Sequence, residues 1–331
     1  MKEIVFLKQR NEKWQQFEEL LKERHANPRR IAELFLEVTD DLSYARTRYP
    51  NSKTTQYLNG LAARIHQEIY KNKKENRSRI ILFWLKEVPD CMLKHRKYAA
   101  LSFLLLLMGV AFGFISEWQN ENFVRVILGD NYVDDTLERI RNGNPLGIYG
   151  EGGSTTMFWA ITLNNIYVSF RIFAFGLLFT VGCGYQLFFT GMMIGAFHGL
   201  FFHYDLLLKS LSVVWIHGTL EISAVIIAGT AGIILGNGLL YPGTFSRLES
   251  FKRNAKESLK ILLGTTPIFI IAGFLESFVT RHTDMPVWLS IAIIALSFIF
   301  IIGYFFIFPS YLKHKFKGME KQEAALINLK F

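Results

Sequence analysis

Residues 211–241 read LSVVWIHGTLEISAVIIAGTAGIILGNGLLY, and this run decides the class of the fold. Its one Asp, Glu, Lys or Arg residue is Glu221. An apolar stretch of about 18 residues or more is long enough to cross a bilayer as a helix. Comparable runs lie near 98–116, 166–204, 261–279 and 287–309. The 166–204 run is too long for a single crossing and divides near Gly182–Gln186. The expectation is an all-α, polytopic transmembrane helical bundle of about six spans, near 98–116, 164–182, 187–204, 211–238, 261–279 and 287–309, in a transmembrane domain over 98–310. With 50% hydrophobic residues, 30 Phe and only 20% charged residues in 331, the composition suits a lipid-facing chain.

Ahead of the first span, residues 1–79 predict a soluble, helical N-terminal segment on the cytoplasmic side. Trp14, Phe17, Leu20 and Leu21 recur at helical spacing. After Asn27-Pro28 the set Ile31, Leu34, Phe35, Val38, Leu42 and Ala45 does the same, and after Pro50-Asn51 so do Leu58, Leu61, Ala62, Ile65 and Ile69. Such stripes can close into a small bundle. The apolar stretch Ile80-Ile81-Leu82-Phe83-Trp84-Leu85 is short, flanked by Arg77, Arg79 and Lys86, and expected to stop at Pro89, so 80–97 reads as an interfacial amphipathic helix with a basic anchor. MKEIVFLKQRNEKW has no apolar core of signal-peptide length, which leaves the first span as the insertion signal.

Orientation follows from Lys and Arg in short loops. Lys94, Arg96 and Lys97 hold the start of span one inside. Residues 117–160, which include Glu117, Glu121, Asp130, Asp134, Asp135, Glu138 and Glu151, form an extracytoplasmic loop. With six crossings the Arg247–Lys260 connection and the basic tail 311–331, with Lys313 to Lys317, also fall inside. The chain is therefore expected to be multi-pass, with both termini cytoplasmic. The net charge of +9 gathers beside the spans, which favours anionic lipid headgroups over nucleic acid. Cys91 and Cys183, the only cysteines, both fall toward the cytoplasmic side and support neither a disulfide framework nor a cysteine zinc site.

Helices in lipid pack through small residues. Gly191, Gly195 and Gly199 form one ladder, Ala224, Ala228, Gly232 and Gly236 another, and Gly109 and Gly113 a shorter pair. These put spans three and four in a tight interior, and the surplus of glycine leaves homo-oligomer formation open.

Ionisable groups at membrane depth normally face a bundle interior or a wet cavity. Arg171, His217, Glu221 and Glu276 stand out, and Asn164, Asn165 and His198 fall at a similar level. The assigned topology puts all seven toward the outer leaflet, as one polar cluster with Arg171 paired to Glu221. A structural network fixing helix register and a functional site explain that cluster equally well. A metal site needs a third ligand beside His217 and Glu221, and sequence offers His198 or Glu276 without choosing, so no metal and no cofactor is assigned. No Ser–His, Cys–His or phosphate-loop constellation marks a catalytic centre, and Gly150-Glu151-Gly152-Gly153 reads as a flexible loop.

Leu163-Asn164-Asn165-Ile166, Phe173-Ala174-Phe175-Gly176, Gly191-Met192-Met193-Ile194-Gly195, His217-Gly218-Thr219-Leu220-Glu221-Ile222-Ser223-Ala224 and Ile227-Ala228-Gly229-Thr230-Ala231-Gly232 together resemble the stage II sporulation protein M family of bacterial membrane proteins. The resemblance spans roughly residues 95–315. It departs at Ile216, where family members often carry Pro before His-Gly, and in the additional N-terminal 97 residues. It implies a bacterial inner (cytoplasmic) membrane, and there a non-enzymatic scaffold that recruits other envelope membrane proteins, as the sporulation protein does for peptidoglycan remodelling. A solute or ion transporter is the alternative that the polar cluster suggests, and an intramembrane metal-dependent hydrolase is a third, less supported one.

Overall fold

The computed structural model describes residues 3–22, 28–71, 78–150, 152–283 and 285–313, and among them there is helix but no strand. The chain divides into two compact units, Met1–Arg79 and Ile80–Phe331.

The first unit comprises α1 (Glu3–Lys22), α2 (Pro28–Arg48) and α3 (Lys53–Lys71). Pro28 opens α2, where its missing N–H costs nothing, and the Ser52 hydroxyl accepts from the Thr55 N–H at the start of α3. Phe6, Trp14, Phe17, Leu34, Val38, Leu42, Ala45, Leu58 and Leu61 make the core, one stripe from each helix. Trp14 adds a specific tie, since its buried indole N–H donates to Asp41 at 2.9 Å. Leu20, Leu21, Ile31, Ile65 and Ile69 lie outside the described side chains.

The second unit starts within α4 (Ser78–Leu82), which runs through a π-turn, Phe83–Glu87, into α5 (Val88–Lys94). Pro89 therefore does not stop the helix, because the wider turn before it accommodates a ring that would collide with an ordinary i−4 carbonyl. Ile80, Ile81, Leu82 and Leu85 are exposed, whereas Val88 and Met92 are fully buried. The anchor is polar as well: Lys94 and His95 reach Glu257 at 2.5 and 2.6 Å, and Lys260 reaches Glu87 at 2.5 Å. Burial, with Glu257 nearby, pushes the Cys91 thiol up to about 11.

The remaining helices are α6 (Arg96–Gln119), α7 (Phe123–Leu128), α8 (Asp130–Arg141), α9 (Ser154–Phe175), α10 (Val181–His203), α11 (Leu207–Leu240), α12 (Arg247–Phe274) and α13 (Val287–Ile302). A π-turn, Leu275–Thr280, prolongs α12, and another, Gly303–Ile307, prolongs α13. Five helices among the described residues are long and apolar enough to cross a membrane: α6, α10, α11, α12 with its π-turn, and α13 prolonged to Lys313.

The expected second span, 164–182, corresponds to α9, but α9 starts ten residues earlier and the chain breaks at Gly176–Thr180 instead of Gly182–Gln186. Ser154, Thr155 and Thr156 look like loop in a hydropathy reading, yet they form the first turn after an extended Gly153. The break is backbone chemistry: Phe179 and Thr180 hold positive φ values of 52° and 70°. At 22 residues α9 is about 33 Å long, enough for the hydrocarbon core.

Glycine contacts fix how the spans run. A methyl group added to Gly191 or Gly195 would fall onto the carbonyl oxygen of Leu106 or Val110, and one on Gly109 or Gly113 onto that of Phe188 or Met192. Residue number rises in step on both helices, so α6 and α10 lie parallel with their backbones in contact. The chain between two parallel spans must recross, and α9 supplies that crossing. Gly176 meets Gly232, and Thr180 meets Gly236, so α9 in turn runs parallel to α11. The two glycine ladders thus serve different partners, α10 against α6 and α11 against α9. Gly199 sits against the Glu117 side chain.

Within 117–160, expected as an extracytoplasmic loop, residues 120–150 build a helical cap. Fully buried Glu117 accepts from the Val124 N–H at 2.6 Å at the start of α7. Gly129, at φ 88°, makes the turn into α8, and Arg125 bridges it by pairing with Asp130 and Asp134 at 3.2 and 2.7 Å. The carbonyls of Gly150 and Gly152 are held by Arg281 beyond α12. In the tail, 314–331 lies outside the described residues.

Replacing Gly195 by Val is expected to destabilise the membrane unit by about 3 kcal/mol, since the obstacle is backbone and cannot rotate away. Gly303, with nothing within 4 Å of the added carbon, is expected to accept Ala with an unchanged or slightly higher melting temperature. Thermal unfolding in detergent reads both. Hydrophilic maleimide is expected to label Cys91 slowly near pH 7 and about tenfold faster near pH 8, in step with the small thiolate fraction.

Candidate functional site

His217 and Glu221 lie one turn apart on α11 and face the same way. Opposite them, the π-turn at the end of α12 turns Glu276 and Thr280 inward. Buried His217 places its Nδ1 3.0 Å from the Thr280 hydroxyl and its Nε2 3.8 Å from a Glu276 carboxylate oxygen. One ligand-type atom each from His217, Glu221 and Glu276 forms a group in which all three lie within 4.8 Å of one another.

These side chains open onto a cavity of about 680 Å³. Asn164 and Asn165 of α9, His198 of α10 and Glu276 of α12 line it beside His217 and Glu221. Ile127, Leu128 and Tyr132 of the cap close one side, together with Tyr149 from the 3₁₀ turn Gly147–Gly150. The Tyr149 ring stands 5.5 Å from the His217 ring, and burial holds its phenol well above the usual tyrosine range, so it stays a neutral hydroxyl. No Lys or Arg is among the described residues lining the cavity. The amide of Asn165, a residue only 7% exposed, is turned toward the Glu221 carboxyl, although its nitrogen makes no hydrogen bond of ordinary length among the described residues.

Six of the seven residues singled out from the sequence therefore meet. His198 sits in the wall with both ring nitrogens engaged: Trp215 donates to Nε2 at 3.3 Å, which leaves Nδ1 to donate to Ser210 at 3.1 Å. That arrangement makes it a packing residue, and the third member of the close group is Glu276.

Arg171 is the exception, and the expected Arg171–Glu221 pair does not form. Its side chain is exposed in the last turns of α9, and its neighbour Ile172 packs against Gly232. Gly232 lies eleven residues beyond Glu221 on α11, a separation of about 16 Å along the axis. The expectation failed because it began this span ten residues late, which put Arg171 near the wrong end. Tyr132, Tyr149 and Thr280 were missed. The two tyrosines come from the segment taken for loop, and Thr280 is brought in by a π-turn that no periodicity in the sequence announces.

Residues 102–281 match the family described as Stage II sporulation protein M. Residues 4–71 match a Domain of unknown function (DUF8413). No curated protein and no solved structure matches the chain.

Thr280→Val, which removes the hydroxyl that holds the His217 ring, is expected to cost about 1–2 kcal/mol by leaving a buried nitrogen unpaired. Arg171→Gln, outside the cavity, is expected to leave the melting temperature within about a degree or two. The comparison is made by thermal unfolding in detergent.

Proposed function

The chain belongs to the stage II sporulation protein M family, and from that premise we propose that it is a non-enzymatic membrane scaffold that recruits partners in a bacterial envelope complex of the peptidoglycan-remodelling kind. The observation that carries this reading is the division of labour within one chain. The membrane unit is locked by backbone contacts at Gly109, Gly113, Gly191 and Gly195, while a separately packed helical unit and a helical cap offer polar surface. Helices held carbonyl against glycine resist the rocking that alternating access requires, so the bundle suits holding better than moving.

In this reading the chain sits in the inner membrane with both termini in the cytoplasm. The Lys94–Lys97 and Arg247–Lys260 clusters lie at one end of the membrane unit, where they contact anionic headgroups, and the cap faces outward. Other envelope membrane proteins are the proposed partners, and self-association through glycines not used internally remains compatible with it. The cavity of about 680 Å³ favours a second reading, transport of a small solute or ion.

Chemical crosslinking in native membranes followed by purification of the full chain in mild detergent is expected to yield stoichiometric membrane partners, reduced by charge-reversing changes on exposed faces of α8 such as Glu138→Lys. A chain that purifies alone and drives solute flux in proteoliposomes, with the flux abolished by Glu221→Gln, decides for transport instead.

A further inference from the structure

Glu221 and Glu276 bring two carboxyl groups into the membrane interior, and no Lys or Arg is among the described residues lining the cavity around them. Charges at this depth are retained when they are paired or hold an ion. The one imidazole beside them, His217, has its Nδ1 committed to Thr280, and this leaves Nε2 aimed toward Glu276. A ring fixed through one nitrogen so that the other faces two carboxylates is the way proteins orient a metal-binding histidine. A further polar group faces the same cavity: the Asn165 amide, more than nine-tenths buried, is turned toward the Glu221 carboxyl, and its nitrogen makes no hydrogen bond of ordinary length among the described residues.

We infer that His217, Glu221 and Glu276 form a binding site for one divalent first-row transition-metal cation. The donor set is one imidazole nitrogen and two carboxylate oxygens, which suits zinc or manganese; a calcium site would call for six to eight oxygens. Two ionised carboxylates with a neutral imidazole carry the charge that a divalent ion cancels, so metal binding removes the cost of burying them. The ligand atoms stand up to 4.8 Å apart, whereas about 3.4 Å is expected around a tetrahedral ion with bonds of ~2.0–2.1 Å. Closing the difference takes carboxylate rotations of about an ångström, and the cavity beside Glu221 and Glu276 leaves room for them. Three protein ligands leave a further coordination position open toward the cavity, where water fits between the metal and Asn165 or Tyr149. The site is independent of the scaffold reading, because a metal here can fix α11 to α12 whatever the protein recruits.

The test uses the full chain in mild detergent, stripped with a chelator and titrated with zinc chloride or manganese chloride. Calorimetry and elemental analysis are expected to give one ion per chain and a raised melting temperature. His217→Gln and Glu276→Gln are each expected to weaken binding by about 100-fold or more, and Thr280→Val by about 10- to 100-fold through the misdirected ring. X-ray absorption on the unaltered protein, which needs no variant to fold, is expected to report a single imidazole and oxygen ligands. The inference is overturned by an absence of saturable binding, which would leave protons alone to neutralise the carboxyls. Stoichiometric binding that survives in folded His217→Gln and Glu276→Gln proteins overturns it too, as does a spectrum showing sulfur or several imidazoles.

Discussion

Carbonyl oxygens seated on glycine α-carbons set the geometry on which the rest of this membrane unit depends. Lipid tails offer helices no hydrophobic reason to associate, so the packing must come from close approach. At Gly191, Gly195, Gly109 and Gly113 the α6 and α10 backbones come near enough that no side chain fits between them. Gly176, Gly232 and Gly236 do the same for α9 and α11. Each pair is parallel, so the contacts also dictate topology, forcing α9 to cross between α6 and α10 although it misses the apolarity that marks the other spans.

Once those pairs are fixed, the polar half of α11 has no choice of neighbours. Glu221 and His217 meet Asn165 from the helix parallel to theirs and Glu276 from the helix antiparallel to it. The π-turn at Leu275–Thr280 belongs to this arrangement, because an ordinary helix end would not present Glu276 and Thr280 to α11 in the same way. The cap brings Tyr132 and Tyr149 to one side of the cavity, and its foundation is Glu117, a buried carboxylate that starts α7. Apolar walls, two carboxyl groups with no Lys or Arg among the described lining residues, and a fixed imidazole make a chemically specific space within the bundle.

Separate logic governs Met1–Arg79. There the driving force is burial from water, and the stripes of Trp14, Phe17, Leu34, Val38, Leu42, Leu58 and Leu61 close on one another as in a soluble helical bundle. Two folding regimes thus share one chain, with the Phe83–Glu87 π-turn and Pro89 just after the boundary in sequence, where the chain passes from the exposed Ile80, Ile81, Leu82 and Leu85 to Val88 and Met92 in the buried core of the second unit.

Sequence by itself determined the class of the protein, the stripes of the N-terminal unit, the glycines that matter and that His217, Glu221 and Glu276 share one level of the bundle. Each of these is a one-dimensional property: hydropathy against bilayer thickness, or spacing against the helical repeat. Arg171 shows where that stops, because its depth depended on where α9 begins, and three polar residues disguised the first turn. Which helices the glycine ladders join, that Glu276 and not His198 completes the group around His217, and that the segment after Gln119 folds into a cap were decided only by the tertiary structure. Those outcomes depend on the rotation of each helix about its axis, on a π-turn and on two positive-φ residues at Phe179 and Thr180. Such features arise from contacts between segments far apart in the chain, and no local pattern encodes them.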